Sequence, residues 1–460
     1  MNPIKKHKLP FTLLVTTLIS SASWAESTKQ DALYPHINQK SERNLSYDWP
    51  ILKVGTGSYE EGPTGVTVFH FERKVNVAVD VRGGGPGTVN APYMDLGYDM
   101  AELDTVVFAG GSWYGLEATT AVATALKDDG LRDGDAFSLT PNIAMSVGSI
   151  IFDFGARRLN EIYPDKRLAQ STYRAAKTGV FPLGPHGAGR SAISGGLFGC
   201  NAYSGQGGAY REIGDIKIAA FTVVNSLGAI VDRKGKMAAC YPGKNWPENA
   251  AMAEVLAKYP DNLDNWDEQK QQQASSKNTT ISLIVTNQKL SQAELKRLAT
   301  QVHTSMARGI QPFTTIFDGD VLYAVSTAEL EVNTMSSAVL GTVASEVMWD
   351  AILSSIPEQP KAAIPKSNLQ LNKQYLNKLT GKYTFSEFAQ VEITNKHNKL
   401  YALATGIRDV FAIGRTSATE LIPVSKNEFM VPGRYPLTLK FETPDQLIIN
   451  PGKWQQTAYR

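Results

Sequence analysis

The change of character at Asn278–Thr279 constrains this chain more than any other feature. Residues 264–278 are polar and aperiodic, and they end Gln-Gln-Gln-Ala-Ser-Ser-Lys-Asn. Such a stretch buries too little apolar surface to pack, so it is expected to be an exposed loop or tail. Directly after it comes Thr279-Thr-Ile-Ser-Leu-Ile-Val-Thr286, rich in β-branched residues and expected to be a strand. A hydroxyl residue therefore stands at the junction of a flexible segment and a strand.

The surrounding sequence alternates β-type and helical segments. Val66–Phe71, Val75–Val81 and Thr105–Ala109 are β-rich, and the last runs into Gly110-Gly111-Ser112 and a helical segment over 116–126. Ile216–Val231 is β-type, broken at Asn225-Ser226 and Gly228, and 250–258 is helical. Ser291 and Glu294 form a capping box opening a helix with Leu295, Leu298, Val302 and Met306 on one face. Phe313–Ile316 and Val321–Val325 flank Asp318-Gly319-Asp320, a hairpin-turn signal. Residues 26–48 are polar and expected to be a loose arm. Pro357, Pro360 and Pro365 mark a linker over 357–366. Beyond it, 367–460 holds short β runs separated by turns, the pattern of a separate all-β domain of barrel or sandwich type.

Lys5, Lys6 and Lys8 precede a short apolar run and Ser23-Trp24-Ala25, the pattern of a secretory signal over 1–25 cut after Ala25. A periplasmic or secreted protein is expected, with no membrane partner. The chain has 46 basic and 44 acidic residues, so no nucleic-acid partner is implied. Export permits a disulfide between Cys200 and Cys240, and two free buried thiols fit the spacing equally well. The six histidines form no ligand spacing, so no catalytic metal or other cofactor is expected.

Acyl-transfer chemistry needs a nucleophile, a base and an oxyanion donor. No GxSxG elbow is present, and Lys177-Thr-Gly179 lacks its SxxK companion. A chain-terminal threonine supplies nucleophile and base together, since its own α-amine titrates near ~7.7–8.0. Asn278-Thr279 suits self-cleavage that would free such a residue; as a plain sequence pattern it is also an ordinary loop-to-strand junction. Asn225 can donate to an oxyanion from its amide, or serve as a bulge or turn residue. Asp318 and Asp320 can orient an amine, or simply cap a solvated turn. The runs 83–88, 110–115 and 184–190 are glycine-rich without the frame of a nucleotide cradle.

Several motifs occur together in one order: Thr64–Val68, Val81–Thr88, Gly110-Gly111-Ser112 with Gly115–Ala118, Ile150–Asp153, Val223–Gly228, Asn278-Thr279 and Phe317–Asp320. In this the chain resembles the self-processing L-aminopeptidase/D-esterase family, which includes β-peptidyl aminopeptidases, over residues 45–345. The resemblance implies a four-layer α/β/β/α sandwich like that of ornithine acetyltransferases within residues 26–356. It implies an α chain of 26–278 and a β chain from Thr279, assembled as a homo-oligomer of α/β heterodimers. It assigns Thr279 as nucleophile, Asn225 to the oxyanion hole, and Asp318 and Asp320 to the new amine. Gly111, Ser112 and Arg190 would bind substrate, a small peptide, amide or ester. Arg190 either points away or meets a substrate carboxylate. Phe152 stands where some members carry a tyrosine. The C-terminal β region resembles lipocalin-like domains appended to other hydrolases, with a role in stability or at an interface. An amidohydrolase or acyltransferase on the same scaffold, or an uncleaved binding protein, are the alternatives.

Overall fold

The computed structural model describes residues 33–460 except 60, 61, 63, 97–100, 132–141, 154–161, 199, 201, 241–249, 259–277, 332, 333, 360–368, 387, 388, 408, 411, 412, 432–436 and 450–455. The expected signal over 1–25, the polar stretch up to residue 277 and most of the 357–366 linker lie outside the described residues.

Eight strands carry the larger part of the chain. They are β1 (Leu52–Tyr59), β2 (Gly65–Val81), β3 (Glu102–Ala109), β4 (Ser146–Ile150), β5 (Gln206–Ile213), β6 (Ile216–Asn225), β7 (Thr279–Gln288) and β8 (Val321–Leu330). With the short strands Pro35–Ile37 and Thr88–Val89 they form one ten-stranded mixed sheet. Its main path runs β5-β6-β7-β8-β2-β3-β4 and ends on Thr88–Val89. The seventeen-residue β2 makes the sheet continuous, pairing with β8 through 76–81 and with β1 through 65–71.

Alternation along these strands sorts the side chains onto two faces. Ala219, Phe221 and Val223 of β6, Ile281, Leu283 and Val285 of β7, and Val321, Tyr323 and Val325 of β8 share a core with Phe69, Phe71, Val106 and Phe108. Ile218, Ala220, Val224, Ile284, Leu322 and Ala324 face the other way. They meet helices α3 (Gln292–Ser305) and α4 (Ser337–Ser354), which follow α1 (Glu117–Asp128) and α2 (Lys166–Arg174) in the chain. Helices α1 and α2 pack on β1–β4 instead. The capping box of α3 forms as expected, with Ser291 accepting from the Glu294 N–H and Glu294 returning to the Ser291 N–H. Leu295, Leu298, Val302 and Met306 are all buried, each such side chain contributing about 1.5–3 kcal/mol of burial.

Three local expectations change. The arm over 26–48 is not loose where it is described: Pro35–Ile37 pairs with Gly57–Tyr59, Asn44–Ser46 pairs with Val180–Pro182, and Tyr47 is buried. Its polarity reflects an edge position in which backbone pairing, rather than apolar burial, holds the chain. Asp318-Gly319-Asp320 does not close a hairpin, because no strand covers 313–316; the neighbour of β8 on that side is β7, parallel to it. The linker begins docked, with the Gln359 side chain both donating to the Tyr203 carbonyl and accepting its N–H.

The C-terminal residues form a nine-stranded antiparallel sheet. Its two end strands, Thr419–Glu420 and Ile422–Pro423, are separated by Leu421 alone, so the two edges come together in a nearly closed barrel. Tyr383, Val391, Ile393, Phe429, Leu439, Phe441 and Ile449 fill its interior. The Tyr383 hydroxyl is bonded to the Leu379 and Pro444 carbonyls. Cys200 and Cys240 are joined in a disulfide, which resolves the choice their spacing left open.

Candidate active site

Strand register brings the first pair together. Antiparallel pairing of β6 and β7 sets Asn225 opposite Thr279. Both fall on the odd-numbered face of their strands, the face that carries Phe221 and Leu283 into the core. Both are buried.

The Asn278–Thr279 peptide is held on all sides. The Thr279 hydroxyl donates to the Asn278 carbonyl at 2.5 Å. The Gly319 N–H donates to the same carbonyl oxygen at 2.8 Å, and the Asn278 N–H donates to the Phe317 carbonyl at 3.0 Å. The carbonyl of residue 278 thus receives one hydroxyl and one backbone N–H, and the backbone N–H is the kind of fixed donor that stabilises developing negative charge on an acyl oxygen.

The 314–320 loop gets its shape from its two aspartates. Asp318 Oδ2 accepts from the Thr315 N–H at 3.0 Å and the Thr315 hydroxyl at 2.5 Å, closing a tight turn, while Oδ1 accepts from the Leu227 N–H at 3.2 Å. Asp320 accepts the Thr280 N–H on one oxygen at 2.6 Å and the Thr314 N–H on the other at 3.0 Å. Burial pushes the Asp318 carboxyl up from its ordinary range. Burial first, and the neighbouring Asp318 charge second, push Asp320 well above its own. Two carboxyls beside the Asn278–Thr279 peptide therefore retain protons more readily than exposed ones.

The first glycine run packs against this loop. A Cβ on Gly83 would lie 2.2 Å from the Asp320 nitrogen, and one on Gly84 would lie 2.4 Å from the Ile316 carbonyl oxygen. Only bare backbone fits there, and the Gly85 N–H bonds to the Asp318 carbonyl at 2.9 Å.

Asn225 is oriented from two directions. Its Nδ2 donates to the Phe152 carbonyl at 2.8 Å and its Oδ1 accepts from the Ile193 N–H at 3.1 Å. An amide nitrogen carries two protons, so one remains beyond the Phe152 bond. Phe152 thus meets Asn225 through its backbone. Gly111 and Ser112 adjoin the same strip: the Gly111 N–H donates to Asp153 at 2.8 Å and the Ser112 N–H to the Ile151 carbonyl at 3.1 Å.

Arg190 is not brought to this group. Its guanidinium donates to the Tyr59 carbonyl and lines a small cavity with His36, Ser58 and His186, which none of Thr279, Asn225, Asp318 or Asp320 lines. Sequence reasoning missed Gly319, Thr315 and the Gly83–Gly85 contact. A glycine between two aspartates was the available signal, and it was taken for a turn. Among the described residues, no group of three or more His, Cys, Asp or Glu side chains is placed to hold a metal ion. No described helix is long and apolar enough to cross a membrane.

The model of peptidase family S58 matches residues 46–368. The chain belongs to peptidase family S58. The expected kinship is borne out at that level, and the S58 chain is a peptide-bond hydrolase. It is similar to the 6-aminohexanoate-oligomer endohydrolase of Paenarthrobacter ureafaciens, 39% identical over 324 residues, spanning 68% of this chain and 85% of that protein. It is also similar to an uncharacterized aminopeptidase of Mycobacterium leprae, 31% identical over 281 residues, spanning 58% and 72%. Among solved structures it is similar to the L-aminopeptidase D-Ala-esterase/amidase of Ochrobactrum anthropi, at 19% identity, 66% and 82% coverage and a TM-score of 0.46. The C-terminal barrel from residue 369 onward lies beyond the S58 match.

Proposed function

We propose that this S58 chain is an exported, self-cleaving hydrolase of the N-terminal-nucleophile type, which cuts its own Asn278–Thr279 bond and then uses Thr279 as nucleophile. The observation that carries this reading is the Thr279 hydroxyl resting on the Asn278 carbonyl beneath the Gly319 N–H. In self-cleavage the hydroxyl oxygen bonds to the Asn278 carbonyl carbon, the C–N bond breaks, and the hydroxyl proton ends on the freed nitrogen. Water then opens the ester, leaving residues 26–278 and a chain starting at Thr279.

In the mature enzyme the Thr279 α-amine takes the hydroxyl proton as Thr279 attacks a substrate amide, and returns it to the leaving amine. Asn225, opposite Thr279 in register, donates its remaining amide proton to the oxyanion. Asp318 and Asp320 hold the new ammonium as a paired carboxyl set. Their raised affinity for protons suits a site in which one shared proton or one ammonium balances two buried carboxylates. Gly111 and Ser112 form the substrate-side wall. The four-layer arrangement is part of this proposal: it is supported by a core shared between β1–β3 and β6–β8 with helices outside each half. Location outside the cytoplasm and assembly as a homo-oligomer of cleaved heterodimers complete it.

The substrate class divides two readings. As an aminopeptidase the enzyme releases N-terminal residues from small peptides, amides or esters. The 39% identity to an endohydrolase of 6-aminohexanoate oligomers favours a second reading, cleavage inside linear amide oligomers. Exposed Trp113, Tyr114, Ile316 and Phe317, which border the Ser112 strip and the 314–320 loop, offer apolar contacts to such a chain.

Intact mass of purified protein tests the chemistry: two chains are expected, the second beginning at Thr279, and Thr279→Ala should remain one inactive chain. A wild-type protein that is active as one chain would refute the mechanism. An amide oligomer with its amine end blocked separates the two substrate readings, since only an endohydrolase cuts it.

A further inference from the structure

The two reactions assigned to Thr279 need an oxyanion donor at different moments, and the uncut chain pairs the scissile carbonyl with only one of the two available donors. The Asn278 oxygen is 2.8 Å from the Gly319 nitrogen, along a short parallel bridge between residues 278 and 318. Asn225, the donor assigned to substrate, has its amide directed to the Phe152 carbonyl and the Ile193 N–H instead. We infer that the Gly319 N–H is the oxyanion donor of self-cleavage and that Asn225 serves the reaction on substrate, so that maturation and turnover use separate donors on opposite sides of Thr279. This rests on the self-cleaving reading above.

Geometry supports the division. Gly319 sits between Asp318 and Asp320, whose side chains are tied to Thr315, Leu227, Thr314 and Thr280. Its N–H is therefore fixed before any bond breaks, and preorganised donors of this kind cost no reorganisation in the transition state. The residue must also be glycine. A Cβ at 319 would stand 2.8 Å from Thr279 Oγ1 and 2.8 Å from the Gly85 carbonyl oxygen, so any side chain presses on the nucleophile itself. Once the bond is cut, residue 278 can leave Gly319, and the carbonyl of an incoming substrate approaches Thr279 from the side on which Asn225 stands.

The test compares Gly319→Ala and Asn225→Ala in the full chain, following the uncut fraction over time by intact mass and the turnover of an amino-acid anilide by the cut fraction. Removing one oxyanion donor typically slows a reaction by about 10²–10³-fold. Gly319→Ala keeps the N–H but sets a Cβ 2.8 Å from Thr279 Oγ1 that forces donor and carbonyl apart, and a loss of about that factor is expected in self-cleavage. Asn225→Ala is expected to lose it in turnover, with a far smaller loss in self-cleavage. Asn225→Ala remaining as uncut as Thr279→Ala, or Gly319→Ala cutting at the wild-type rate, would overturn the division. Should Gly319→Ala fail to fold by circular dichroism, the Asn225→Ala comparison decides alone. A wild-type protein that never cuts would instead sink the self-cleaving reading on which the inference stands.

Discussion

Replacing Asp320 by asparagine probes the buried carboxyl pair most directly. Each Asp320 oxygen accepts one backbone N–H, from Thr280 at 2.6 Å and Thr314 at 3.0 Å. Those donors cannot move far. Thr280 lies in β7, and the Asp320 carbonyl is itself held by the Arg82 and Gly83 N–H groups. Asparagine has one acceptor oxygen, so its NH2 must face one of the two donors. Leaving a buried N–H unpaired costs about 1–3 kcal/mol. Against this stands the charge that asparagine removes. Asp320 has a carboxyl raised well above its ordinary value by burial and by Asp318. A raised carboxyl stabilises the fold fully below the unfolded-state value, near about 3.9, and that contribution is lost as pH rises through the folded-state value. Wild type therefore loses stability with rising pH at this site and Asp320→Asn does not.

The deficit of Asp320→Asn should accordingly be largest in acid and shrink toward neutral pH. The comparison belongs in a Thr279→Ala background, where both proteins are expected to stay uncut. Thermal unfolding across pH is the assay. For domains of 150–250 residues a loss of 1 kcal/mol lowers the midpoint by roughly 2–4 °C, so a shift of several degrees in acid is expected. A deficit that widens as pH rises would mean that ionised Asp320 stabilises the fold, and the reasoning from burial would fail.

Further outcomes follow from the glycine contacts of this loop and from the disulfide. Gly83→Ala should slow self-cleavage strongly without abolishing the fold, because a Cβ 2.2 Å from the Asp320 nitrogen displaces the loop that carries Gly319; normal cutting on an intact-mass time course would contradict this. Both disulfide cysteines precede residue 278, so non-reducing electrophoresis should still separate the two chains. Reduction should lower stability by up to about 4 kcal/mol, the loop-closure value for a separation of 40 residues. It should also perturb activity, since Leu197 and Gly195 next to Cys200 bond to Leu227 and Gly228, and the Leu227 N–H bonds to Asp318. An unchanged unfolding midpoint and rate after reduction would rule that coupling out.

Local pattern was enough for much of this protein. The strand opening at Thr279, the capping box of Ser291 and Glu294 and the strands of the C-terminal region, though not its short helix Lys373–Lys378, are written in periodicities of two and 3.6 and in short-range capping chemistry. The junction at Asn278–Thr279 was legible for the same reason. What surrounds it was not, because strand register and loop packing depend on residues far apart in the chain. Only the tertiary structure sets Asn225 opposite Thr279 and turns Asp318-Gly319-Asp320 from a supposed hairpin turn into a loop that holds the Asn278 carbonyl. Pairing of residues 35–37 and 44–46 with distant strands tied down an arm whose polarity alone suggested freedom. Packing likewise joined Cys200 to Cys240 and drew Arg190 away to the Tyr59 carbonyl. Thr279 was thus visible as a hydroxyl at the head of a strand, while the donor above its neighbouring carbonyl came from a glycine that only the folded chain brings there.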